Sequence, residues 1–487
     1  MYFCRLMADN LKERTAKGLL WGTVNNGTAQ LLNLVIGIFL ARKLDATDYG
    51  IVGVLAIFGA IASSLQNCGL VPALINIKAP SHKDYNAVFW MNLSISMALY
   101  VILFLSAPLI ATFFHQPCLV NVSRYMFLGL PIQALSIASG AYLLKNMMNR
   151  EIAIIGIVSL ALSGAVGILM AYQGFSYWSL IAQQLINVTC ITLGRFYYVP
   201  WMPSLHIDLT PVKQMLGFSI KLMITSIVNA LNFHVLTFIF GRFLPIQVVG
   251  YYAQANKWNN MAKATISDAI GQVAQTVMVS VSDERDRDVR VFRKMMRFTA
   301  FLSFPALFGL ALVSHEFIIL AIGDKWTDSI ILLQILCIGG AFLPFYTLYQ
   351  NLAISHGRSD IYMWYNIGQI VIQLLIVLLL RKQGIVAIVC ASSAFIVIWL
   401  FVWHLAGLRL IGLRFSHLFL DTFPFLFVAL AVMVVTYFIT MRIENLPLLL
   451  TSRILIAAAL YAGTMKLLQA KVMEETLHFF LKKKVSQ

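Results

Sequence analysis

Long, mostly apolar runs recur from end to end of this chain with only short connectors between them, and that pattern leaves few folds open. A helix that crosses the hydrocarbon of a bilayer needs about 20 consecutive apolar residues. Of the 487 residues, 60% are hydrophobic and 11% charged, against roughly 45–50% and about 25% in soluble proteins. A soluble chain of this length must still cover itself with polar surface. A bilayer removes that requirement, so the chain reads as all-α and polytopic.

About fourteen spans can be drawn, near 18–41, 50–77, 86–114, 125–144, 152–172, 177–198, 215–241, 250–280, 298–322, 329–354, 361–380, 385–406, 424–441 and 448–468. No connector is large enough for a soluble domain. The first run is too long for a cleaved signal segment and no small-residue cleavage site closes it. Lys and Arg concentrate in the cytoplasm-facing loops of membrane proteins. With a cytoplasmic N-terminus, the tails and every second connector hold 24 of the 36 Lys and Arg residues, counting those at span ends with their connectors, and the opposite connectors hold 8. Both ends are therefore expected in the cytoplasm.

The two halves of the chain share spacing. Arg42, Leu44 and Gly50 recur as Arg242, Leu244 and Gly250, Arg150 matches Arg358, and Gly174 matches Gly384. Six helices followed by six related helices form a parallel repeat about an axis along the membrane normal. The expected organisation is a cytoplasmic tail (1–17), two six-helix lobes (18–213 and 214–406), two further helices (407–468) and a basic cytoplasmic tail (469–487).

Polar residues inside spans mark candidate sites. Asn26, Gln30 and Asn33 share a face of span one, and Lys221, Thr225, Asn229 and Asn232 share a face of span seven. As repeat partners, these faces are expected to look at each other across the axis. Such amides either line a polar cavity or bond neighbouring helices together. Span eight carries Gln254, Lys257, Asn259, Asn260, Lys263 and Asp268. An ionisable residue at membrane depth is a functional candidate by default. Surplus lysine suits an anionic ligand; the alternative is a Lys257–Asp268 pair with the other lysines reaching to an interface. Gly69 and Pro72 suggest a bent or broken span two. Arg453 reads as an interfacial anchor, His234 and His356 as hydrogen-bonded bystanders, and Asp45 and Asp48 as helix caps.

Several classes are disfavoured. The net charge of +16 is spread over connectors and forms no continuous basic face for nucleic acid. The six cysteines lack metal or redox spacing. The charged segment from Asp283 to Arg297 reads as a solvated connector. No phosphate-cradling loop, zinc-protease motif or hydrolase triad signature is present, and no cofactor is expected.

Lys17-Gly-Leu-Leu-Trp21, the run Leu40-Ala-Arg42-Lys-Leu44 continuing to Asp48-Tyr49-Gly50, Gly69-Leu-Val-Pro-Ala73 and the Asn86 to Trp90 region together resemble the bacterial polysaccharide transporter family. These are lipid-linked oligosaccharide flippases of the multidrug/oligosaccharidyl-lipid/polysaccharide exporter superfamily. The resemblance implies two lobes around a central cavity, opening alternately to cytoplasm and periplasm in the bacterial inner membrane. Its implied substrate is an undecaprenyl-diphosphate-linked repeat unit, with polysaccharide polymerase and chain-length regulator proteins as partners. On that reading Lys221, Lys257 and Lys263 meet the diphosphate, and Asn26, Gln30, Asn33, Asn229, Asn232 and Asn260 bond sugar hydroxyls. Asp268 is the candidate for coupling to protons or sodium. A drug antiporter of the same superfamily and a membrane glycosyl polymerase or ligase are the competing readings.

Overall fold

The computed structural model describes residues 2–67, 69–281 and 284–468; the basic C-terminal tail lies outside them. Every regular element among the described residues is helical. The chain packs as two compact units, residues 1–250 and 251–487.

The first unit contains α1 (Tyr2–Lys43), α2 (Ala46–Asn67), α3 (Leu70–Asn76), α4 (His82–Phe114), α5 (Leu119–Phe127), α6 (Gly129–Ala134), α7 (Ile137–Lys145), α8 (Asn149–Tyr172), α9 (Trp178–Tyr198) and α10 (Thr210–Phe243). The start of α11 (Ile246–Val281) also belongs to it. The second unit holds the rest of α11, then α12 (Arg285–Leu312), α13 (Ser314–Ile322), α14 (Asp328–Gly340), α15 (Leu343–Ser355), α16 (Ser359–Leu380), α17 (Ile385–Ile411), α18 (Phe415–Thr440) and α19 (Leu446–Leu467).

Eleven spans, each a helix or a pair of joined helices, are long and apolar enough to cross a bilayer, or twelve if the bent stretch from α5 to α7 counts as one. Each of the fourteen apolar runs falls on helix. The two that miss the criterion are α9 and α11, which carry Gln183, Gln184, Asn187 and Arg195, and Gln254 to Asp268, respectively. The expected break in span two is present: α2 and α3 meet at Gly69, whose φ of 65° is open to glycine and strained for other residues.

In the first unit α1 packs along α8, α8 along α9, and α10 on α2, α3 and α4. A core of Leu70, Tyr85, Val88, Phe89 and Trp201 lies where α3 and α4 meet the connector between α9 and α10. That connector has no helix of its own, so its backbone groups need partners. Asn86 supplies two: its Nδ2 donates to the His206 carbonyl at 2.6 Å and its Oδ1 accepts from the Ser204 amide at 2.9 Å. Trp90 Nε1 donates to the Ser204 carbonyl at 2.8 Å. At the far end of the connector, Asp208 is held by the Thr210 side chain and accepts from the Thr210 amide at 2.9 Å, and in that order these lower the affinity of its carboxyl for a proton.

In the second unit α12 is the central strut, packed on α14, α15, α18 and α19. Phe304 stacks near Phe308, Phe342 and Phe345, with centroids 5.2–5.7 Å apart. Asp421 of α18 accepts from Arg293 of α12 at 2.6 and 3.1 Å. This two-pronged pair is the geometry that makes Arg–carboxylate contacts directional.

Candidate functional site

The repeat motif builds a seam. The breaks after α1 and α10 fall at Lys43 and Phe243, and the next helices start at Ala46 and Ile246, the same register two hundred residues apart. Gly50 lies against the backbone of Ile246: a Cβ there would sit 2.1 Å from the Ile246 carbonyl oxygen. Reciprocally, a Cβ on Gly250 would sit 1.7 Å from the Ala46 carbonyl oxygen. Neither site tolerates a side chain without moving backbone. Gly174 and Gly384, the third matched pair of the repeat, have φ values of 86° and 87°.

The remaining motif residues are structural as well. Asp48 accepts from the Asp45 amide at 2.9 Å, closing the N-terminus of α2, and also accepts from the Ser176 hydroxyl. The helix-cap reading therefore holds for Asp48. Arg242 donates to the Phe113 carbonyl at 2.8 Å, satisfying an orphan group at the end of α4. Gly69 brings α3 close to α10, where Ser219 Oγ donates to its carbonyl at 3.2 Å.

The amide faces are placed as follows. On α1, Asn26 and Asn33 are exposed and Gln30 is half-buried; on α10, Asn229 is exposed and Asn232 half-buried. Exposed apolar residues, Leu31 and Val35 among them, are interspersed with the α1 amides. The main packing surfaces of α1 and α10 point elsewhere, toward α8 and toward α2, α3 and α4. Lys221 lies on α10, and its side chain is outside what the structure describes.

The strongest polar concentration is on α11. Gln254 and Asn259 are fully or almost fully buried, Lys257, Asn260 and Lys263 are half-buried, and Asp268 is exposed. Gly340, at the end of α14, leaves room for the Asn259 amide; a Cβ there would be 2.4 Å from Asn259 Oδ1. Lys257 Nζ sits 5.3 Å from the centre of the Trp258 ring, a cation–π contact. The Lys257–Asp268 pair is excluded. The two residues lie on one unbroken helix, and eleven residues at 1.5 Å each separate them by about 16 Å.

Arg453 overturns its reading as an interfacial anchor. It is 7% exposed, and its Nη1 donates to Glu316 at 2.8 Å and to the Leu312 carbonyl at 3.2 Å. Its Nε donates to the Thr440 hydroxyl at 3.3 Å. Pairing with a buried carboxylate is how a guanidinium buried inside the protein is accommodated. Sequence reasoning missed it because Glu316 is 137 positions away. Beside this pair lies a cavity of about 600 Å³ between α11, α12, α18 and α19. Its wall includes Ala262, Phe301, Pro305, Gly309, Met433 and Ala457, with Arg453 and Tyr461 as its polar points. This cavity is apolar, unlike the cationic one expected from span eight.

The comparisons with known proteins agree with this architecture. The family model described as polysaccharide biosynthesis protein matches residues 39–331. The lipopolysaccharide biosynthesis protein WzxC of Escherichia coli (strain K12) is 27% identical over 364 residues, 74% of this chain and 73% of that one. The teichuronic acid biosynthesis protein TuaB of Bacillus subtilis (strain 168) is 24% identical over 494 residues, 97% of this chain and 99% of its own. Among solved structures, the inward closed conformation of the lipid II flippase MurJ superposes with a TM-score of 0.73 at 14% identity, over 95% of this chain and 99% of that one. An inward-facing multidrug resistance transporter of the MATE family gives 0.64 at 15% identity, over 78% and 94%. These structural likenesses show the fold: an all-α bundle of membrane-spanning helices. From the model match across well over half of its length, the chain belongs to the polysaccharide biosynthesis protein family.

Proposed function

We propose that the protein is a flippase that carries undecaprenyl-diphosphate-linked oligosaccharide units from the cytoplasmic to the periplasmic leaflet of the bacterial inner membrane, for assembly of surface polysaccharide. One observation carries this reading beyond family membership. On α11, one of the two helices too polar to count among the apolar spans, Lys257, Asn260 and Lys263 are half-buried along one stretch. A lysine held at membrane depth is unfavourable by about 2.5–3.5 kcal/mol on insertion scales, and a diphosphate offsets that with charge-assisted hydrogen bonds. The amides of α1 and α10 present donors and acceptors that match sugar hydroxyls. The apolar cavity beside α19 has room for several isoprene units of the lipid tail. Asp268, exposed on the same helix as the lysines, is the candidate for cation coupling.

In this reading the two lobes of the repeat, 18–213 and 214–406, rock about the substrate, both termini face the cytoplasm, and the basic tail from 469 lies inside. Polymerase and chain-length regulator proteins would receive the flipped unit. No enzymatic step is involved.

The test is translocation of a fluorescent lipid-diphosphate-linked oligosaccharide in proteoliposomes. Lys257→Ala and Lys263→Ala are each expected to slow transport at least tenfold, about 1.4 kcal/mol in the barrier. Lys221→Ala should do the same, and Lys→Arg at each position should retain most activity. Full activity in all three alanine variants rejects the cationic site.

A further inference from the structure

Arg453 has a buried carboxylate to answer it; Arg195, near the end of α9, has none. Arg195 is half-buried, and its Nη1 donates to the Ser136 carbonyl and to Ser136 Oγ, both at 3.3 Å. Both acceptors are neutral, and both bonds are longer than is usual. The N–H groups on Nε and Nη2 meet no acceptor among the described residues. An ionisable residue left unpaired in a membrane bundle is a functional candidate by default.

The described carboxylates of the first unit are placed elsewhere. Asp48 binds the Asp45 amide and the Ser176 hydroxyl at the start of α2. Asp84 closes the start of α4 with Ser81, and Asp208 the start of α10 with Thr210. Glu151 lies in the first turn of α8, where its charge suits the helix dipole. Lys145, the last residue of α7, gives its ammonium to the Ile75 and Ile77 carbonyls, each at 2.6 Å. No counter-charge from the described chain reaches Arg195.

The guanidinium is nonetheless seated in a built position. Gly140 of α7 leaves the space it occupies: a Cβ there would lie 2.9 Å from both Cζ and Nη1 and 3.3 Å from Nε. Ser136, which takes the bound arm, is fully buried, and its Oγ lies 3.1 Å from the Thr192 hydroxyl. Thr192 in turn donates to the Ile132 carbonyl at 3.1 Å. One arm is therefore fixed, and Nε and Nη2 are left side by side on the free edge. Arg293 holds Asp421 by the same edge, Nε to one oxygen and Nη2 to the other. Such an edge fits two oxygens of one phosphate or carboxylate.

Position selects between these acids. Arg195 is three residues from the end of α9 at Tyr198, about 5 Å along the helix axis. Leu193 and Tyr197 beside it are 63% and 83% exposed. Large side chains left open on a membrane bundle face lipid, and tyrosines gather at the level of the headgroups. Every phospholipid headgroup brings a phosphate to that level.

We propose that Arg195 is a phosphate-binding site filled by the headgroup of an anionic phospholipid, whose phosphate oxygens take the Nε–Nη2 edge. The lipid supplies the counter-charge that the chain does not. The site uses none of the residues of the transport reading and is independent of what the protein transports.

The test is native mass spectrometry of the full-length protein in detergent, titrated with phosphatidylglycerol. Arg195→Gln should weaken the tightest-bound lipid by about tenfold. Gly140→Ala, whose methyl displaces the guanidinium while leaving its charge, should weaken it as well. Arg195→Lys keeps the charge without the planar fork and should also bind more weakly than wild type; it carries the comparison if Arg195→Gln does not fold. Inorganic phosphate in excess should leave the lipid bound. An affinity unchanged in Arg195→Gln or in Gly140→Ala overturns the proposal, and displacement by inorganic phosphate overturns the lipid as the ligand.

Discussion

Gly50 and Gly250 show what the family motif does at the scale of single residues. Each lets one helix start lie against the backbone of the other, and the two contacts are reciprocal. Forcing a methyl into either contact requires backbone movement, and overpacking of this kind costs about 1–3 kcal/mol. Gly50→Ala and Gly250→Ala are therefore expected to lower the melting temperature in detergent by several degrees, as read by thermal unfolding of the purified protein. Gly174→Ala tests a different effect, since a Cβ there meets no atom within 4 Å but the φ is positive; its loss should be smaller. Asn86 makes a second residue-scale case. Asn86→Ala removes the side-chain partner of the Ser204 amide and the His206 carbonyl, which are open enough to turn to water, so the cost is that of two ordinary hydrogen bonds, about 0.5–1.5 kcal/mol each. The measurement is the same melt, together with faster proteolysis in the connector 199–209. Melting curves unchanged in Gly50→Ala and Asn86→Ala would show that these contacts contribute nothing to stability. The motif residues are thus fold determinants, which explains how they can identify a family without naming a substrate.

At the scale of elements, α19 is fastened to α13 by the Arg453–Glu316 pair, with both side chains less than a tenth exposed. Removing one member of a buried pair leaves an uncompensated charge, typically about 3–5 kcal/mol. Arg453→Met should therefore destabilise the protein strongly, and the double variant Arg453→Met with Glu316→Gln should recover most of the loss. A double variant no more stable than Arg453→Met contradicts the assignment. Such a pair is invisible to a reading by local pattern, because its partners are remote in sequence. Helix positions were legible, since each rests on apolar runs and on Gly, Pro and Asp signals that act within a turn; the break at Gly69 and the cap at Asp48 were read this way. The polarity of α9 and α11 was visible too, and it is what separates twelve clearly apolar spans, the bent stretch from α5 to α7 included, from the expected fourteen. The Lys257–Asp268 alternative failed on arithmetic that needed an unbroken α11. The 3.2 Å contact of His356 with Asp288 of α12 was out of reach too, because nothing local to either residue points to the other.

For the whole molecule, repeat and packing describe different things. The repeat expected from the sequence pairs α10 with α1, whereas packing places α10 on α2, α3 and α4 within the unit that ends at Gly250. The helix connecting the units, α11, is the one that carries Lys257, Asn260, Lys263 and Asp268. α11 is the helix proposed above to meet the diphosphate. The most direct measurement is translocation of a lipid-diphosphate-linked oligosaccharide across proteoliposomes containing the purified protein. The account predicts transfer well above protein-free vesicles, reduced at least tenfold, about 1.4 kcal/mol, in Lys257→Ala and Lys263→Ala. Transfer no faster than in protein-free vesicles, with export of a small organic cation instead, would contradict it.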